Sequence, residues 1–97
     1  MNFVVICTDV EGSAPLRATS LSNHRRYVDE RASSIVMSGP LVDDDSDLRT
    51  GQFYVLTVLN RSEAEAFVAN DPFTAAGVFN HVAITRALPK FEFGHRL

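Results

Sequence analysis

Two ionisable side chains, His24 and Asp71, are of the types that together do acid/base chemistry. A carboxylate that accepts from one imidazole nitrogen fixes the ring's tautomer and raises the basicity of the other nitrogen, which can then act as a general base. Asp71 lies in Asn70-Asp71-Pro72-Phe73, and because a proline pushes the residue before it out of the helical region, the carboxylate stands where a helix stops. His24 falls in helical register with Leu21 and Val28, which turns its ring toward a covered face instead of water. Taken singly, each reads as structural: a core histidine holding one hydrogen bond, or an aspartate bonding backbone amides in an Asp-Pro turn. As a pair they make a proton-transfer site. The Ser38 hydroxyl and the backbone around Gly39 add hydrogen-bonding groups for a small substrate, and no serine lies in a nucleophile elbow.

Other chemistries find less support. The histidines His24, His81 and His95 show neither HxH nor HxxxH spacing, so no metal site is expected from them. His81 lies in a strand-like segment and His95 in a polar C-terminal tail. The acidic run Asp43 to Asp47 invites a calcium-loop reading, but an EF-hand needs Gly at its sixth position and Glu at its twelfth, where this chain has Leu48 and Tyr54. No cofactor is expected. Cys7, the single cysteine, sits inside an apolar run and reads as a buried structural thiol.

The elements that must position the pair follow from periodicity. Phe3 to Cys7 is a β-branched, apolar run that predicts a strand. Asp9 to Pro15 reads as loop. Leu21, His24, Val28, Ala32 and Ile35 then recur at spacings of three and four, the pattern of one amphipathic helix. Its start is open, with Pro15 suited to the first turn and Thr19, Ser20 or Ser22 as caps. Ile35 to Val42 predicts a second strand whose later part is interrupted by Gly39 and Pro40, as at an edge or a pocket wall. Gln52 to Asn60 predicts a third. Ser62-Glu63-Ala64-Glu65 has the form of a capping box and opens a second helix that Asn70-Asp71-Pro72 ends. Val78 to Leu88 alternates as a last strand, with Pro89 after it.

Strand, helix, strand, strand, helix, strand is the split βαβ order of a ferredoxin-like α+β domain, an antiparallel sheet carrying two helices on one face. In that fold the sheet-facing side of the first helix approaches the end of the second, which brings His24 toward Asp71. The apolar residues on the opposite sheet face call for a cover, and the economical one is the same face of a second copy.

Size and composition agree. The 97 residues form a single domain, 1–97, short enough that a monomer buries only about two-thirds of its unfolded surface. The chain is 45% hydrophobic with a net charge of −3 and scattered basic residues, which argues against nucleic acid as a partner. The apolar opening lacks a basic leader and breaks at Thr8-Asp9, too short for a signal peptide or membrane span; with one unpaired cysteine, it places the protein in the cytoplasm.

The ordered set His24 with Tyr27-Val28, Ser38-Gly39-Pro40-Leu41, Gly51, Ser62-Glu63-Ala64-Glu65-Ala66, Asn70-Asp71-Pro72-Phe73 and Ala76-Gly77 resembles the YCII-related (YciI-like) family over nearly the whole chain. The resemblance implies a ferredoxin-like fold, a dimeric α+β barrel formed face to face by two sheets, and an active-site His-Asp pair at His24 and Asp71. Arg17, ahead of the helix, matches a basic position seen before the family's histidine. The acidic Asp43–Asp47 loop and the basic Arg25-Arg26 depart from the family pattern. The expectation is therefore a small enzyme, with Arg17, Ser38, Gly39, Pro40 and Phe73 around a small-molecule pocket, performing isomerisation or elimination without a cofactor. The alternative is a non-catalytic dimeric ligand-binding or accessory domain in which His24 and Asp71 form a structural hydrogen bond.

Overall fold

A computed structural model describes all of residues 1–97. In chain order the elements are β1 (Asn2–Asp9), α1 (Ala14–Glu30), β2 (Ile35–Val42), β3 (Arg49–Thr57), α2 (Arg61–Ala69), a one-turn α3 (Pro72–Ala75), β4 (Phe79–Ala87), β5 (Phe91–Glu92) and β6 (His95–Arg96). The first four strands form one sheet in the order β2-β3-β1-β4, and each neighbouring pair is antiparallel. The fold is thus mixed α+β with the ferredoxin-like order.

Alternation decides which side is buried. Phe3, Val5 and Cys7 of β1 and Tyr54 and Leu56 of β3 point to one side, where they join Tyr27 of α1 and Ala64, Phe67 and Val68 of α2 in a single core. On the other side lie Val4, Ile6, Met37, Phe53 and Val55, paired across strands and in part exposed. Gly51 is where β3 comes too near β1 for a side chain: an added Cβ would lie 2.3 Å from the Cys7 carbonyl oxygen.

Several sequence expectations shift in detail. α1 begins with Pro15 in its first turn and ends at Glu30, so Arg17 is inside the helix and Ala32 and Ile35 are beyond it. The fully buried positions of α1 are Ser20, His24 and Tyr27, a stripe rotated from the expected one and sharing only His24. The buried stripe is polar because each member finds a partner, Ser20 on the Leu16 carbonyl, His24 on Asp71 and Tyr27 on the Phe67 carbonyl, while half-buried Leu21 and Val28 lie on the flank beside a cavity. α2 is capped by Asn60, not Ser62. The Asn60 Oδ1 accepts from the Glu63 amide at 3.0 Å, and the Glu63 carboxylate reaches back to the Leu59 amide at 2.9 Å, the logic of the capping box two residues early. β2 runs unbroken through Gly39 and Pro40, because on an edge strand the missing proline donor faces no partner; its register shifts fall instead at Ile35/Met37 and Leu41/Val42. β3 starts earlier than expected, since Arg49 and Gly51 still pair with β2. The C-terminal tail is a hairpin, β5 with β6, turning at Phe93 and Gly94 with both φ angles positive (50° and 78°).

Candidate functional site

Asn70 ends α2, and Asp71 immediately begins α3 with its side chain as the cap: Oδ1 accepts from the Phe73 amide at 2.8 Å. Pro72 locks the first turn that follows. Asp71 has no exposed surface, so its remaining lone pairs must be satisfied inside the protein. They are met by His24 Nδ1, at 2.9 Å from Oδ1 and 3.1 Å from Oδ2, and by the Tyr54 hydroxyl, which donates to Oδ2. Three donors converge on one buried carboxylate, so both of its oxygens are satisfied inside the protein.

That geometry sets the imidazole. A carboxylate only accepts, so the Nδ1 facing it carries the proton and Nε2 is left with a lone pair. The ring is held in place by Phe73, stacked on it with centroids 3.8 Å apart and planes 9° from parallel. Burial pushes the Tyr54 phenol far above its ordinary range, and the Asp71 charge and hydrogen bond push it further, so Tyr54 is a permanent donor. Burial likewise raises the Cys7 thiol to about 12, with the Asp71 and Asp9 charges adding to it, which leaves Cys7 no nucleophile.

A second network lies beside the first. Arg17 binds Asp9 through two bonds, Nε to Oδ2 at 2.7 Å and Nη2 to Oδ1 at 3.0 Å. It also donates to the Gly51 carbonyl at 2.6 Å and to Gln52 Oε1 at 3.1 Å. Ser13, which precedes α1, donates a hydrogen bond from its hydroxyl to Asp9 Oδ2 at 2.6 Å in place of capping the helix. The Arg17 guanidinium carbon lies 4.9 Å from the Phe73 ring centroid, so the two networks touch through one aromatic ring.

Between α1 and the β2–β3 edge opens a cavity of about 510 Å³. His24, Arg17, Ser38, Gly39, Pro40 and Phe73 all line it, together with Leu21, Val28, Gln52, Leu48 and Arg49 among others. Asp71 does not; it stands behind His24. The structure therefore brings together every residue expected at the site, with Arg17 largely engaged by Asp9, Gly51 and Gln52. His81 is on the open sheet face opposite Thr8, and His95 is in the C-terminal hairpin, both away from the cavity. No three His, Cys, Asp or Glu side chains converge as a metal-binding group would.

Sequence reasoning missed Tyr54, Gln52, Asp9 and Ser13. The signal was present for two of them: Gln52 and Tyr54 alternate with Leu56 on the inward side of β3, and a polar residue at an inward strand position has to meet a partner.

The sequence family described as the YCII-related domain matches residues 1–88. Among solved structures, the 5-chloro-2-hydroxyhydroquinone dehydrochlorinase TftG from Burkholderia phenoliruptrix, in complex with 2,5-dihydroxybenzoquinone, superposes with a TM-score of 0.82 at 31% identity, covering 91% of this chain and 94% of its own. An antibiotic biosynthesis monooxygenase matches with a TM-score of 0.52 at 15% identity, over 92% of this chain and 100% of its own. A protein from Agrobacterium tumefaciens matches with 0.53 at 9% identity, over 100% of both chains. The last two share the fold alone. No curated protein matches the chain by sequence.

Proposed function

The chain belongs to the YCII-related domain family, and on that premise we propose that it is a small, cofactor-independent enzyme in which His24 moves a proton and Asp71 orients it. One observation carries the reading: His24 Nδ1 faces both Asp71 oxygens, at 2.9 and 3.1 Å, while the ring lines the cavity and its Nε2 has no partner within the chain. A fixed tautomer with a free lone pair toward a cavity is what a general base requires. The reaction class is isomerisation or elimination on a small, partly apolar molecule. The 31% identical dehydrochlorinase supports elimination, in which a proton passes to Nε2, the bonding pair becomes a new double bond, and a leaving group departs with its own pair. No net redox change occurs, so no redox cofactor is called for.

Ser38, Gly39, Pro40, Phe73 and Arg17 would border the bound molecule. The cavity suits one ring, with apolar walls at Leu21, Val28 and Pro40. The open sheet face carrying Ile6, Met37, Phe53 and Val55 is the surface on which a second copy would pack, making the dimer a face-to-face barrel. No helix is long and apolar enough to cross a membrane. We place the protein in the cytoplasm because its one cysteine is buried and unpaired.

The test is chloride release from 5-chloro-2-hydroxyhydroquinone. His24→Ala should lower the rate by about 10²-fold or more, and full turnover in that variant would remove the reading. A second reading, a non-catalytic ligand-binding dimer, draws on the structural duty of Asp71 as the α3 cap. It predicts ligand binding with no turnover in the unaltered protein.

A further inference from the structure

Gln52 is held at one end and open at the other. It is 3% exposed, on the helix-facing side of β3, and its Oε1 accepts from Arg17 Nη1 at 3.1 Å. A guanidinium only donates, so this bond settles which end of the amide is oxygen and turns the NH2 end away from Arg17. That nitrogen has no hydrogen-bond partner in the chain. Every fully enclosed side-chain nitrogen and oxygen does have one, so the Gln52 NH2 is reached from the cavity that the residue lines. The Oε1 has a structural duty, since without it the Arg17 Nη1 donor would be left unmet, whereas the NH2 has none within the chain.

The surroundings limit what this donor can meet. The Arg17 charge beside it is matched by the bidentate Asp9 carboxylate, so this corner is not a cationic cradle. Arg17 retains one Nη1 N–H beyond the four bonds it makes. Two neighbouring N–H groups with little free charge fit a single carbonyl, enolate or phenolate oxygen; a phosphate would need several donors and an unpaired cation.

We infer that the Gln52 side-chain amide is the oxygen-reading group of the cavity, donating to a carbonyl or ionised hydroxyl oxygen of a small oxygenated ring. The inference rests on reading this cavity as the substrate site. When Nε2 of His24 takes a proton, the electron pair left on the substrate delocalises onto the conjugated oxygen, and a prepositioned N–H holds that charge. Gln52 thereby selects substrates with an oxygen conjugated to the bond that loses its proton.

Gln52 is the only glutamine in the chain, so protein labelled with 15N-glutamine gives a single side-chain amide pair. The experiment titrates this protein with 2,5-dihydroxybenzoquinone, following the amide pair by NMR and occupancy by quinone absorbance. The pair should shift in step with occupancy. Gln52→Glu, which keeps an acceptor for Arg17 but removes the donor, should weaken binding about tenfold or more. Thermal melts confirm that the variant is folded, and Gln52→Leu provides a second donor-free variant. An amide pair unmoved at saturation, both variants binding within about twofold of the unaltered protein, a shift produced by inorganic phosphate alone, or no quinone binding at all would each overturn the assignment. His24→Ala, which adds no second glutamine to the labelled protein, separates the two proposals. If it binds the quinone with the same amide shift but the unaltered protein releases no chloride, the enzyme reading fails and the Gln52 assignment stands. Chloride release that depends on His24 but is indifferent to Gln52→Glu overturns the assignment alone.

Discussion

Asp71→Asn preserves the shape of the side chain and removes the charge that three donors share. The carboxylate accepts from His24 Nδ1, the Tyr54 hydroxyl and the Phe73 amide. A carboxamide offers one accepting oxygen and an NH2 that must face a former donor. The Phe73 amide cannot turn away, so it keeps the oxygen. Tyr54 can rotate its proton, but His24 Nδ1 sits across both oxygens, 2.9 Å from Oδ1 and 3.1 Å from Oδ2, so an NH2 in the Oδ2 place sets an N–H against the Nδ1 proton, a conflict relieved by moving that proton to Nε2. The lone pair then points at residue 71 and the cavity loses its base. Charge-assisted bonds are worth about 1.5–3 kcal/mol and neutral ones about 0.5–1.5, so weakening two of them costs roughly 2–3 kcal/mol. For a domain of this size that lowers Tm by about 10–20 °C. The change of tautomer should lower turnover by about 10³–10⁴-fold, as it does in comparable histidine–aspartate arrangements. Nitrogen-15 NMR of the imidazoles reads the tautomer without any substrate: the unaltered protein should show a bare Nε2 at His24, and the variant a protonated one. A variant that keeps the proton on Nδ1, or that melts within about 3 °C of the unaltered protein, would refute the reasoning.

Arg17→Met leaves the Asp9 carboxylate buried with only Ser13 to satisfy it, a loss of about 3–5 kcal/mol; the urea midpoint should fall accordingly, and an unchanged midpoint would show that the pair is not holding α1 to the sheet. Gly51→Ala drives a methyl against the Cys7 carbonyl oxygen, which β-ladder bonds hold in place, and should cost about 1–3 kcal/mol in the same assay; stability equal to the unaltered protein would contradict the close approach. Alkali should unfold the protein cooperatively. Both the Cys7 thiol, raised to about 12, and the Tyr54 phenol, raised further, are protonated in the fold and ionise more readily when unfolded. The stability tied to them is complete below the unfolded values and declines as pH rises, from about 9 for Cys7 and from about 10 for Tyr54, by about 1.4 kcal/mol per pH unit for each group. Denaturant curves at stepped pH should show this slope, and Cys7→Ala should remove its lower part.

Much of this architecture was legible because the signals were periodic or covalent. Proline after Asp71 stopped α2 where expected, the β-branched run placed β1, and the element order gave the sheet. The His24 ring was correctly turned inward, yet from a stripe that was otherwise displaced, since Leu21 and Val28 face a cavity that no helical period reveals. Asn60 in place of Ser62 shows how one cap motif hides another two residues away. Gln52 and Tyr54 escaped notice because their partners are Arg17 and Asp71, distant in sequence and near only once the sheet and helices assemble. The Asp9–Arg17 pair is local in the chain, but its value depends on burial, which spacing alone does not report.

The division of labour around Asp71 bears on how the site can change. The carboxylate starts α3, anchors the ring and receives Tyr54, so the floor of the cavity is bound up with folding and resists substitution. The rim is different: Leu21, Leu48, Arg25 and Arg49 border the same space from exposed or half-buried positions and take no part in holding His24. A library that randomises the rim and leaves the floor untouched should yield folded variants with altered ligand preference. Evolution toward new substrates has the same path open to it, with the proton-transfer apparatus carried along unchanged.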